Sequence, residues 1–80
     1  MTIITIDHEP VELYKILKFE GLVSSGGEAK LVIAEGLVAV NGAVDTRKRR
    51  KIVHGDTINF GSKAFQIRLV QKPAGEIGEM

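Results

Sequence analysis

Residues 37–44 read LVAVNGAV. Alternating apolar residues run straight into Asn41-Gly42, and that pair is the strongest local signal for a two-residue turn between antiparallel strands, because both central positions take positive φ. Leu37 to Val40 is therefore one strand and Ala43-Val44 begins its partner. A chain committed to this hairpin must find an apolar layer to cover one face of it.

The cover is written upstream. Leu13, Ile16 and Leu17 fall at i, i+3 and i+4, so a helix is predicted from an acidic, proline-containing start at Asp7 to Pro10 through to about Glu20, with Glu12, Lys15 and Lys18 on its polar side and Gly21 as its stop. Ser25-Gly26-Gly27-Glu28 has capping-box spacing, in which the serine oxygen accepts from the third helical amide and the glutamate reaches back to the serine amide. A second short helix then begins near Gly26, buries Ala29, Val32 and Ile33, and ends before Gly36, where a left-handed cap is wanted. The two helices form a hairpin joined by Gly21 to Ser25.

Strand signals occupy both flanks. Thr2 to Ile6 is β-branched throughout. Ile52-Val53, Thr57 to Phe60 and Ala64 to Val70 are separated by turns at His54-Gly55-Asp56 and Gly61-Ser62. The class is α+β, in one domain spanning 1–72. Residues 73–80 lose periodicity and are expected to form a flexible acidic tail.

The chain of 80 residues contains no cysteine, which removes disulfides, thiolate nucleophiles and sulfur-ligated zinc, and suits a reducing cytoplasm. Apolar runs reach only four residues, as in Leu31 to Ala34, so no membrane span is expected, and the start reaches Asp7 without a basic leader. His8 and His54 stand beside turns at spacings that pair with no ligand or nucleophile, so no catalytic residue, metal or cofactor is expected. Ser24 to Gly27 lacks the spacing and the lysine of an NTPase phosphate loop, and its capping box competes for the same amides.

Charge is the other constraint. The net charge is only +1, yet residues 46–72 hold eight cations against the single acid Asp56, and the first 45 residues hold seven acids against three lysines. Arg47-Lys48-Arg49-Arg50-Lys51 is the densest part. As an extended segment it points cations to both sides, so neither face can enter a core and the run must lie exposed. A charged edge strand kept soluble explains such a run less well than an anion-binding surface does, because adjacent like charges repel. Tyr14, Phe19, Phe60 and Phe65 fall among apolar neighbours and offer no platform for splayed bases, so phosphate contacts and the shape of a structured RNA are the expected readout.

Together these marks resemble the S-four RNA-binding domain, named for the fourth small-subunit ribosomal protein. The resemblance runs from Val11 to Phe60, about five-eighths of the chain: a leucine-bearing helix ending in Gly-Leu, a serine-led second helix with Ala29-Lys30, then Glu35 to Gly42, then Gly55-Asp56-Thr57-Ile58. It is nearest to short, stand-alone bacterial S-four-like proteins with "SGG" before the second helix. It implies two helices packed on a small, mostly antiparallel sheet, and an RNA-binding surface that includes Lys18, Ser25, Lys30, Asn41, Arg47, Lys48, Arg49, Arg50 and Lys51. Gly26 stands where many members carry an arginine, which removes one usual phosphate contact. The implied function is non-enzymatic binding of structured RNA, ribosomal or transfer, by a monomer. The alternative is a protein-interaction module or an accessory subunit of a ribosome-associated or RNA-modifying complex.

Overall fold

The Asn41-Gly42 turn organises the sheet. In the computed structural model, which describes residues 1–70, Asn41 and Gly42 have φ of 53° and 87°, and they join β3 (Val38–Val40) to β4 (Ala43–Val44). On its other side β3 pairs antiparallel with β6 (Thr57–Phe60), and β6 pairs antiparallel with β7 (Lys63–Leu69). β1 (Thr2–Ile6) closes the sheet by pairing parallel to β7, with Ile4 opposite Ile67, so the strand order is β1-β7-β6-β3-β4. A separate ribbon pairs β2 (Val11–Glu12) with β5 (Lys51–Ile52).

Helices α1 (Leu13–Phe19) and α2 (Gly26–Ala34) pack against each other and contribute to the core that the strands share. Their predicted faces, Leu13, Ile16 and Leu17 with Ala29, Val32 and Ile33, are buried. They join Val38, Ile52, Ile58 and Ile67, each no more than 1% exposed. Burying a side chain of this size contributes about 1.5–3 kcal/mol, so these few residues supply most of the driving force. The expected α+β arrangement of a helical hairpin on a mostly antiparallel sheet is the observed one.

Three local expectations are corrected. The first helix starts at Leu13, not at Asp7 to Pro10, because Val11 and Glu12 are drawn into the ribbon with Ile52 and Lys51. Glu28 reaches past Ser25: its Oε1 accepts from both the amide and the hydroxyl of Ser24 at 2.7 Å, while the Ser25 hydroxyl accepts from the Glu28 amide at 3.1 Å as expected. The fifth strand is Lys51–Ile52 rather than Ile52-Val53, since the Val53 amide donates instead to Asp56 at 2.9 Å. Among the described residues no helix is long and apolar enough to cross a membrane. The tail expected over 73–80 lies outside the described residues.

Candidate nucleic-acid interface

The loop between β4 and β5 carries the basic run, and it is curled rather than extended. Its centre is Asp45, only 7% exposed. One carboxylate oxygen accepts from the Arg47 amide (2.9 Å) and Arg47 Nε (3.0 Å), and the other accepts from Arg47 Nη2 (2.8 Å) and Arg50 Nη1 (2.6 Å). The hydrogen bonds from Arg47 hold the Asp45 carboxyl well below the usual carboxylate range against the opposing effect of burial, and Arg50 adds to them. Arg47 is in turn pushed up by the same pairing. The expectation that the run is extended and wholly exposed therefore fails at Arg50, whose side chain is 29% exposed because a buried counterion draws it inward.

The backbone of the same loop closes the first helix. Glu12, at the N-cap position of α1, makes no side-chain cap; instead the Leu13 amide donates to the Arg50 carbonyl (2.9 Å) and the Tyr14 amide to the Lys48 carbonyl (3.1 Å). These amides would otherwise be left open at the start of a helix. Freed from capping, the Glu12 carboxylate takes Arg49 Nη1 at 3.3 Å and Lys15 Nζ at 3.4 Å. Partial burial raises its pKa, but those two cations outweigh it and the net shift is downward.

Cations from three elements then meet on one ring. Lys30 of α2 lies 4.9 Å from the centroid of Tyr14, with Arg49 of the loop at 5.9 Å and Lys15 of α1 at 6.0 Å. Beside them Arg47, Arg49, Arg50 and Lys51 line an open hollow of about 440 Å³. A larger hollow, about 660 Å³, lies between β1 and α1, but apolar residues such as Ile4, Ile6, Ile16 and Phe19 dominate it, and among the described residues Lys15 is the one lysine or arginine that lines it. The cationic hollow is the one on the loop side.

A sequence model described as "S4 domain" matches residues 4–68. The chain belongs to the S4 domain family. It is 53% identical over 60 residues to the protein named "Putative RNA-binding protein YbcJ" of Escherichia coli (strain K12), covering 75% of this chain and 86% of that one. It is 38% identical over 65 residues, 80% and 92% of the two chains, to "Probable ribosome maturation protein RlbA" of Bacillus subtilis (strain 168). The solution structure of E. coli YbcJ, described as revealing an αL motif involved in RNA-binding, superposes with a TM-score of 0.66 at 46% identity, covering 85% of this chain and 87% of that one.

Within this S4 domain the residues singled out by sequence fall in three places. Lys30, Arg47, Arg49, Arg50 and Lys51 are gathered around Tyr14 and the loop hollow, and Lys48 is exposed on the same loop. Lys18 lies alongside the start of α2, where a Cβ on Gly26 would stand 3.7 Å from its Cδ, and its ammonium sits 5.9 Å from the Phe19 ring. Ser25 and Asn41 are occupied with structure. Ser25 caps α2, while the Asn41 amide group donates to Asp56 (3.0 Å) and accepts from the Thr57 amide (2.9 Å), locking the hairpin turn to β6.

Sequence reasoning overlooked Tyr14 and Asp45. Its apolar neighbours suggest a core position for Tyr14, yet it lies one residue from Lys15 and is only half-buried. Asp45 stands two residues before Arg47, the spacing at which an aspartate accepts from the backbone ahead of it, and that turn signal was available. Phe19, also placed among apolar residues, is 69% exposed.

Proposed function

We propose that this S4 domain is a non-enzymatic, monomeric, cytoplasmic RNA-binding protein that grips the phosphate backbone of structured RNA, ribosomal or transfer. Arg47 to Lys51 form the grip, with Lys30 and Lys18 as flanking charges. Ser25 and Asn41 serve it by fixing α2 and the hairpin. The observation that carries the reading is the meeting of Lys15, Lys30 and Arg49 on the Tyr14 ring, beside a hollow lined by four cations. With its ring engaged by lysine and arginine, Tyr14 is poorly placed to stack on a base, which favours phosphate and shape readout over single-strand reading. The names of YbcJ and RlbA point the same way.

The test is binding to bulk transfer RNA across a salt series, for the intact protein and for Lys48→Ala with Arg49→Ala. Both side chains are exposed, so the fold should survive. The expected result is a steep loss of affinity with salt in the intact protein, with a log-log slope made shallower in the variant by about 0.7–0.9 per lost phosphate contact. Absence of binding at low salt would leave the loop to an acidic protein partner and end the RNA reading.

A further inference from the structure

Asp45 is out of place on a surface that attracts a polyanion. Its charge opposes the RNA that the five neighbouring cations draw in, and a buried ion pair is a weak route to stability because desolvation offsets the attraction. A merely soluble loop would keep such a carboxylate at the surface. Here it is buried, and it accepts from the amide and two side-chain nitrogens of Arg47 and from one nitrogen of Arg50.

We infer that Asp45 is a positioning residue for RNA phosphate: it sets Arg47 and Arg50 as a fixed wall of the hollow that they share with Arg49 and Lys51. The inference rests on the RNA reading above and deepens it. The bonds to Asp45 use Nε and Nη2 of Arg47 and Nη1 of Arg50, so each guanidinium retains nitrogen that Asp45 does not engage. The hollow of about 440 Å³ in front of them has room for a phosphodiester group. A free arginine loses much rotamer freedom when it grips a ligand, whereas these two are already ordered. The same anchoring operates wherever Asp45 is ionised, and its pairing with Arg47 keeps it ionised well into acid.

Charge and positioning predict opposite signs for Asp45→Asn. The asparagine is nearly isosteric and keeps an oxygen for the Arg47 amide, so the loop turn survives, while the net charge of the protein rises by one. Charge alone makes the variant bind bulk transfer RNA more tightly. Positioning makes it bind about fivefold more weakly at every salt concentration, from the ordering cost restored to two arginines. A spectroscopic signature separates this from loss of structure: the Nη–H resonances of Arg47 and Arg50, whose acceptor Oδ2 becomes an amide nitrogen in the variant, should be slow to exchange in the intact protein and fast in Asp45→Asn, with the β-sheet amide spectrum unchanged.

Arg47→Lys supplies a second arm that does not touch the carboxylate. It conserves charge but loses the fork, and should bind several-fold more weakly with an unchanged salt slope. Equal or tighter RNA binding by Asp45→Asn, or unaltered binding by Arg47→Lys, would overturn the inference while leaving the RNA reading intact. Failure of the unaltered protein to bind would remove both.

Discussion

The backbone amide of Leu13 donates to the carbonyl of Arg50 at 2.9 Å, so the first turn of α1 is closed by the loop that carries the basic run. Helix and loop hold each other in place, and the cations are presented on a backbone that the core anchors through Leu13 and Ile52, both fully buried.

This relationship has a direct readout. The amides of Leu13 and Tyr14, at a helix start where amides usually exchange freely, should be protected in hydrogen exchange, and Lys48→Ala should leave that protection unchanged because the bond uses the backbone carbonyl. Its stability should stay within about 0.5 kcal/mol of the parent. Fast exchange at both amides would show that the loop does not cap the helix.

Acid should weaken the fold through Asp45. A carboxyl whose folded pKa is depressed contributes stability that is present above its ordinary value, 3.8, and is lost as pH falls toward the folded value. Glu28, held down by hydrogen bonds from the amide and hydroxyl of Ser24, changes in the same direction. Urea midpoints taken from about pH 6 down to pH 3 should therefore fall, and the gap between the intact protein and Asp45→Asn should narrow with acid. A gap that stays constant would mean that the Asp45 charge contributes nothing to folding.

Ser25→Ala should cost about 1 kcal/mol, the usual loss for an N-cap that accepts a helical amide. Denaturant unfolding measures it. Retention of full stability would indicate that Ser24 and Glu28 hold the start of α2 without it.

Two glycines should respond with opposite signs. Gly42 sits at φ 87° with open space where a Cβ would be, so Gly42→Ala meets no atom yet should destabilise by about 1–2 kcal/mol through backbone strain alone. Gly27 lies in α2, and the nearest atom to an added Cβ there is Ser25 Oγ at 3.8 Å, an ordinary contact. Gly27→Ala should stabilise by up to about 1 kcal/mol. Thermal melts of the pair decide both.

What could be read from the sequence was what neighbours in sequence decide. The Asn41-Gly42 turn, the buried faces of both helices and the Ser25 cap depend on residues within a few positions of each other, and the pattern of side chains states them. The start of α1 depends on Val11 meeting Ile52, some forty residues away, and no local period reports that pairing. Acid and proline at Asp7 to Pro10 resemble a helix start for sound local reasons, and a distant ribbon overrides them. The basic run misled for a related cause. Strand alternation put Arg50 in solvent, whereas a buried carboxylate five residues earlier supplies a partner that alternation cannot foresee.

The parallel pairing of β1 with β7 sets the order in which the molecule can be completed. Thr2 to Ile6 is synthesised before the other strands of this sheet, and its partner begins at Lys63, so Ile4 waits more than sixty residues for Ile67. Closing so long a loop is a late event, because its entropy must be met before the contact repays it. The helical hairpin, the capping loop and the ring of cations need nothing beyond Ile52. On a growing chain the basic face therefore has all its parts before the five-stranded sheet can be finished.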